Sequence, residues 1–551
     1  YIILMAGGLL NLVAVGDQNV IVHGNPDKTF FTSTFKTHTN FGLQKFRLDF
    51  EGQKVLHTTE ETKYSFKVKR YADLLMETYL SINLPDIWSP IYPPKETQDS
   101  SGEWVPYEFK WIKNLGAQII KEVSVTVGGT TLCNIPGEFF LVNYNKNGYG
   151  KTGTFNTMTG NDRKFYDPGR GGKSYPNAVY TTNSDGAEPS IRGEQLLIPL
   201  NFWWTVSYKQ AFPLVSLQYN ELYIHVTFRP IKEWFVIRDV LDSTNGYPYG
   251  APNFNRSQDQ FYHFIQTPPN VELNYTNRNV TWNADVHIIA NYCFLSEDER
   301  VNFATNEQKY LIKQVYLHTY NNISTANKIW LQNSKGLVTD FTFVYQRNDV
   351  YLRNEWSNYT NWPYSYQPYR IKSAPVTLEG SVLYGTRQLG PGENPDYTPT
   401  GLYYTGDYKI ENEKDILLSL GLILDGHQRE EIRNANVYRY LEAYKRFSST
   451  PYEGIYGYSF ALSTSISNLQ PTGSLNMSMF NKIELEFTTH TPTIDPNAQY
   501  NVICNPDTGA PIGYNKPAAS LYEYNYDLRI YEQRYNVLVF SSGNCSLMFG
   551  M

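Results

Sequence analysis

Apolar and polar residues alternate with a period of two at intervals along the whole chain. Tyr64, Phe66 and Val68 alternate with Ser65, Lys67 and Lys69, and Val123, Val125 and Val127 alternate with Ser124 and Thr126. Leu222, Ile224, Val226 and Phe228 alternate with Tyr223, His225 and Thr227, and Pro230 follows where a ladder donor is no longer needed. The second half keeps the pattern: Ile483, Leu485 and Phe487 alternate with Glu484 and Glu486, and Tyr524, Tyr526, Leu528 and Ile530 with Asn525, Asp527 and Arg529. Successive side chains of a strand point to opposite faces, so this alternation predicts strands with one face buried. Gly128-Gly129 predicts a hairpin turn. Helix signals are few. Ser296 to Glu299 reads as a capping box opening a short helix through Ala304, and 429–447 is the other helical segment.

The order of parts repeats once. IIKEVSVTVGGTTL at 119–132 corresponds to ILLSLGLILDGHQR at 416–429, each a strand running into a Gly-containing turn. LLIPLNFWW at 196–204 leads to ELYIHVTF as YGYSFALS at 456–463 leads to KIELEF. A repeat of this length indicates two copies of one β fold, not a short-period solenoid. Two long polar stretches, 143–195 and 347–413, read as loops that form functional surface. Turn formers concentrate at about 236–280, as expected of a connection between domains.

Composition sharpens the β reading. Of 551 residues 15% are aromatic, including 46 Tyr and 29 Phe, which suits sheets. All-β domains commonly run about 200–250 residues, so two fit this length. Lys+Arg 47 against Asp+Glu 53 gives a net charge of -6 with no basic tract, which argues against direct packaging of nucleic acid. Cys133, Cys293, Cys504 and Cys545 are far apart with no His nearby, so they read as free thiols and not as a zinc site or a disulfide framework. The apolar N-terminus, YIILMAGGLLNLVAVG, lacks a basic flank, is broken by Asn11 and is too short to span a bilayer, so it reads as an arm. Met5 is a candidate start residue that would leave Tyr1 to Leu4 as upstream sequence.

The search for chemistry predicts no catalytic residue, no metal and no cofactor. The nine histidines form no HExxH, no HxH and no Cys/His cluster. GYGKTG, Gly148 to Gly153, spells GxGxxG but has no helical pattern after it, and DPGRGGK reads as another Gly-rich loop. Glu484 and Glu486 share a strand face and read as solvated carboxylates, not as a glycosidase pair. Seven sequons make Asn255, Asn274, Asn279, Asn322, Asn358, Asn476 and Asn544 candidate glycosylation sites, although chance gives about this number in such a chain. Tyr351, Trp356, Tyr359, Trp362, Tyr364 and Tyr366 are too many rings to leave solvated, and are assigned to loop packing or to contact between subunits.

The opening AGGLLNLVAVGDQNVIVHGNPDKTFF and FKTHTNF resemble the start of the major capsid proteins of nucleocytoplasmic large DNA viruses, the group of iridoviruses, phycodnaviruses and mimiviruses. In family order follow KNLGAQIIKEVSVTVGG, LLIPLNFWWTVSYKQAFPLVSLQYNELYIHVTFRP, ANYCFLSEDERVNFATNEQKYLIKQV, YGYSFALSTSISNLQPTGSLNMSMFNKIELEF and RYNVLVFSSGNCSLMFG. The resemblance spans almost the entire chain. It implies an all-β fold of two consecutive eight-stranded jelly rolls with long loop insertions and a few short helices. The expected divisions are an arm at 1–25, a first roll at 26–240, an interdomain connection at 241–280 and a second roll at 281–551. It further implies a non-enzymatic shell subunit of the virion, assembled in the host cytoplasm, that trimerises into pseudo-hexagonal capsomers of an icosahedral capsid. The implied partners are its own copies, neighbouring capsomers, minor capsid and penton proteins, and an inner viral membrane near the N-terminal arm, with no direct nucleic acid. The competing reading is a lectin-like carbohydrate-binding β-sandwich using the Tyr and Trp loops.

Overall fold

The computed structural model describes residues 7–52, 54–92, 105–148, 152–169, 175–178, 187–240, 249–270, 274–362, 414–449, 451–465, 469–492, 501–504, 511–515 and 524–550. Residues up to Phe41 form a unit of their own. Its short helices Leu10–Val13 and Val20–His23 carry exposed Leu12, Val13, Ile21 and Val22.

The rest of the chain holds two β-sandwiches built to one plan. The first contains β1 (Phe41–Asp49), β2 (Thr62–Val68), β3 (Leu74–Asn83), β4 (Ile120–Val127), β5 (Thr130–Pro136), β6 (Gln195–Pro199), β7 (Phe212–Pro213), β8 (Leu222–Phe228) and β9 (His287–Leu295). One sheet runs β1-β9-β3-β7 with β6 also on β3, and the other runs β2-β8-β4-β5. Strands β6 and β7 pair with successive parts of β3 and so share one position, which leaves eight positions in the roll.

The second sandwich contains β10 (Gln308–Ile323), β11 (Ala326–Trp330), β12 (Leu337–Arg347), β13 (Leu417–Leu424), β14 (His427–Asn434), β15 (Ile455–Ser459), β16 (Leu475–Asn476), β17 (Ile483–Thr489) and β18 (Tyr526–Ser541). Its sheets run β10-β18-β12-β15, with β16 also on β12, and β11-β17-β13-β14. The two strand orders correspond position by position. The architecture is therefore a double jelly roll, in which the chain passes back and forth between two packed sheets.

Local chemistry explains why these segments form these elements. In β8, Leu222, Ile224, Val226 and Phe228 are buried while Tyr223, His225 and Thr227 are half-exposed, as the alternation requires. The apolar set meets Tyr64, Phe66, Val123 and Val125 from its own sheet and Leu80, Ile82, Ile288 and Tyr292 from the facing one. The second core repeats this with Leu422, Leu485 and Phe487 against Phe341, Phe343, Leu528 and Ile530. Gly128-Gly129 joins β4 to β5, and Asp425-Gly426 joins β13 to β14. All four turn residues have positive φ, the backbone of a two-residue turn whose twist matches the strands. The repeat seen between 119–132 and 416–429 is thus one hairpin used twice.

Several expectations are corrected. Residues 241–280 do not connect the rolls: β9 pairs with β3, so the first roll closes at Leu295, inside the span assigned to the second, and 241–280 lies between its last two strands. The step between rolls is the helix Glu297–Thr305. That helix forms where expected, but Ser296 makes no side-chain capping bond; its first turn carries Glu297, Asp298 and Glu299, which favour a helix N-terminus. Segment 429–447 is helical only in its second part, because 427–434 pairs with β13. The stretch 143–195 includes helical turns Thr152–Met158 and Arg163–Tyr166, so a helix does follow the described end of GYGKTG, while residues 149–151 and 170–174 lie outside the described residues.

Val125 and Ile483 lie at 0% and 3% exposure in the two cores. Val125→Asp or Ile483→Asp buries an unpaired carboxylate at a cost of several kcal/mol, against a total stability of about 5–15 kcal/mol. Each variant is expected to express as insoluble protein. Recovery of soluble, protease-resistant material from both would show that these positions are not core.

Candidate functional site

Charged side chains are concentrated where the two rolls meet. Strand β5 runs directly into the helix Gly137–Asn147, and a Cβ at Gly137 would collide with the Ile120 carbonyl, so only glycine allows this tight entry. Every residue of that helix except Tyr144 is buried. It lies on the outer face of β12 and β18 of the second roll. There Arg529 Nη2 donates to Glu138 Oε1 at 2.8 Å, and the Tyr531 hydroxyl donates to Glu138 Oε2. One helix length on, Lys146 pairs with Asp340 and donates to Thr342 Oγ1 at 3.2 Å. Burial lowers the pKa of Lys146, and Asp340 opposes that shift. The Phe139 and Tyr531 rings pack at 5.3 Å between these two charged contacts.

A second set of contacts comes from the other direction. Residues 349–362, which follow β12, reach back to the first roll: Asn354 Nδ2 donates to the Phe235 carbonyl at 2.7 Å, and Trp356 Nε1 to the Glu233 carbonyl at 3.0 Å. The Arg229 guanidinium lies 4.7 Å from the Trp356 ring centroid. Asp349 holds this segment in shape between Arg347 at 2.6 Å and Arg353 at 2.9 Å. Burial alone would raise the Asp349 pKa, but the two guanidinium charges outweigh it and hold the carboxyl well below its ordinary range. Elsewhere along the junction Gln314 Nε2 donates to the Leu132 carbonyl at 2.8 Å, and Phe212 meets Phe540 edge-on at 5.1 Å.

The residues singled out from the sequence fall in different places. Trp356 packs against the first core, Tyr359 is fully buried, and Trp362 has Lys414 Nζ 4.6 Å from its ring. Tyr351 is 57% exposed, while Tyr364 and Tyr366 lie outside the described residues. These inward rings cannot form the sugar-binding platform of a lectin. Among the sequon asparagines, Asn255, Asn274, Asn279, Asn322, Asn476 and Asn544 are exposed. Asn358 is fully buried and its Nδ2 donates to the Trp362 carbonyl, so it is not a surface acceptor.

Glu484 is not the solvated carboxylate expected: it is 7% exposed and held by Lys482 at 2.8 Å and Lys328 at 3.5 Å, and the Lys482 hydrogen bond lowers its pKa. Cys133, Cys293 and Cys545 are buried free thiols, and burial pushes Cys133 and Cys545 up to about 12; the side chain of Cys504 lies outside the described residues. No group of three His, Cys, Asp or Glu able to hold a metal occurs among the described residues.

The sequence reading missed Glu138, Lys146, Asp340 and Arg529. Asp340 and Arg529 sit at the polar phase of alternating strands, which is how ordinary solvent-facing residues look. Only the tertiary arrangement covers that face.

Comparison with known proteins agrees with this architecture. Residues 29–295 match the family described as major capsid protein N-terminus, and residues 299–546 match the large eukaryotic DNA virus major capsid protein family. The major capsid protein of Phaeocystis pouchetii virus is 25% identical over 89% of this chain and 94% of its own. That of Paramecium bursaria Chlorella virus 1 is 23% identical over 99% and 100%. In structure, the quasi-atomic model of the PBCV-1 virus capsid gives a TM-score of 0.58 at 19% identity, covering 95% of this chain and 100% of its own. The Faustovirus major capsid protein gives 0.58 at 13% identity, covering 93% of each chain.

Two measurements probe the junction. Lys146→Met strands a buried Asp340, and breaking a buried pair costs about 3–5 kcal/mol, whereas replacing both partners by apolar residues is close to neutral. Chemical denaturation is expected to show Lys146→Met well below wild type and Lys146→Met/Asp340→Leu recovering most of the loss; equal losses would mean the charges are not coupled. Asp349 has a folded pKa below its unfolded value of 3.8, so its contribution is fully present above about pH 4 and is lost as pH falls through the folded value. Asp349→Asn should therefore lower the melting temperature at pH 7 and flatten its decline between about pH 4 and 2. An acid limb as steep as that of wild type would exclude this carboxylate as its source.

Proposed function

Because the chain belongs to the large eukaryotic DNA virus major capsid protein family, we propose that it trimerises into pseudo-hexagonal capsomers that tile an icosahedral shell. It is a structural capsid protein and not an enzyme. The observation that carries the finer reading is the junction itself. Two rolls of one strand order sit side by side through unlike surfaces, the helix after β5 on one roll meeting the outer sheet of the next. A head-to-tail contact of this kind closes into a ring when its rotation permits. Three copies supply six similar rolls.

On the same reading the partners are neighbouring capsomers and the minor and penton proteins of the shell. The N-terminal unit, with its exposed Leu12, Val13, Ile21 and Val22, serves the side facing an inner membrane. Assembly takes place in the host cytoplasm, where buried thiols such as Cys133 remain reduced. The two rolls divide at the helix Glu297–Thr305. The exposed sequon asparagines are the sites open to glycan, and the segments 143–195 and 347–413 contribute to the outer face beyond the parts buried at the junction.

Sedimentation equilibrium of the purified full chain, with negative-stain microscopy of the same sample, tests the reading. The expected result is a mass three times that of the chain and particles of hexagonal outline. A monomer at micromolar concentration, or a dimer, would overturn it.

A further inference from the structure

The two rolls carry equivalent elements, and one of those elements is treated differently in each. In the first roll the helix that follows β5, Gly137–Asn147, is buried on the outer sheet of the second roll. In the second roll the corresponding helix follows β14, starting as a π-helical turn at Val437–Leu441 and continuing through Glu442–Arg446. Only Tyr438 and Ala443 of that helix are buried, against its own roll, where the Tyr438 hydroxyl donates to the Leu420 carbonyl at 2.6 Å. Its other side leaves Tyr440, Leu441 and Tyr444 at 53%, 55% and 84% exposure. Three large apolar groups on ten residues of helix form a patch of the kind that marks a contact surface.

The receiving face also has its counterpart. The first-roll helix rests on the outward residues of β12 and β18, Asp340, Thr342, Arg529 and Tyr531. The equivalent strands of the first roll are β3 and β9, flanked by β1. Their inward residues Leu80, Ile288 and Tyr292 are in the core. Their outward residues, Glu77 and Tyr79 with Ile289 and Asn291, remain partly exposed, and Leu43 and Lys45 of β1 are exposed beside them. This face mixes apolar and charged groups, as does the covered face of the second roll.

We infer that the helix 437–446 is the element by which one copy of this chain docks on the next, with Tyr440, Leu441 and Tyr444 laid across the outer β1-β9-β3 face of the neighbouring copy's first roll. The inference rests on the trimer reading and adds to it which surfaces meet. Its occupant is a second copy because the chain itself shows the same kind of helix on the same kind of sheet. Tyrosine suits such a contact, since it brings a large rigid area with a polar tip at low entropic cost.

The test uses the full chain in two forms. Leu441→Asp/Tyr444→Asp places two charges in the proposed contact while leaving Tyr438 and Ala443 on the parent roll. Its trimer fraction by sedimentation should fall at least tenfold at a concentration where wild type is fully assembled, with the melting temperature unchanged. A benzophenone amino acid in place of Tyr444, in a mixture of isotopically light and heavy chains, should on irradiation join 444 of one copy to 42–49, 74–83 or 287–295 of another. Wild-type trimers with an undiminished trimer fraction in the double variant, or with cross-links only to other segments, would overturn the inference and leave the trimer standing. A monomeric wild type would instead defeat the trimer reading itself. If the double variant does not fold, the cross-link alone decides.

Discussion

Charges taken out of water must be paired where they come to rest, and this constraint governs how the two rolls are joined. Glu138 with Arg529 and Tyr531, and Lys146 with Asp340, fix both ends of one helix on a neighbouring sheet. A purely apolar contact would tolerate sliding by a turn, whereas two ion pairs a helix apart accept a single register. Buried pairs give little net stability against apolar replacements of the same shape, so their value here lies in specificity. The Asp349 cluster does the same from the second roll by shaping residues 349–362 before they reach the first roll. The two sandwiches also share apolar contacts such as Phe212 on Phe540, and a few carboxylates select the register in which those surfaces meet.

That placement matters because the repeat makes every surface of one roll the counterpart of a surface on the other. What is satisfied inside the chain at one junction is left unsatisfied at the corresponding places on its outer flanks. The contrast between Gly137–Asn147, almost wholly covered, and Val437–Arg446, open along one side, is the clearest case. A duplicated fold with one internal contact has a matching pair of surfaces still to use.

Much of the fold was legible in the chain because jelly-roll strands are covered on one side and open on the other. Leu222 to Phe228 shows this directly, and the Gly-Gly and Asp-Gly turns fix two hairpins by backbone conformation alone. The strand at 287–295 was harder to read. Its sequence HIIANYCFL has little alternation, and its partner β3 lies about two hundred residues earlier, so the turn formers at 241–280 look like a domain connection. Residues 429–434 carry the pattern of the helix expected over 429–447 because their charged side chains suit an exposed helix as well as an exposed strand. The junction was not legible. Composition marked 347–362 as surface, yet Arg347, Asp349 and Arg353 satisfy one another and can be buried together.

The edge strand β14 is protected by its own charges. It ends its sheet, and its sequence HQREEIRN places Arg429, Glu430, Glu431 and Arg433 along an exposed ladder. The corresponding edge of the first roll, TTLCNIP, has no charge and is shielded by Gln314 of the second roll at Leu132. An uncharged open edge would invite strands of other copies to add to it without limit, and a chain produced in the quantity a shell requires would be drawn into fibres. Charged gatekeepers along this edge disfavour strand addition there and leave side-chain surfaces as the route by which copies associate.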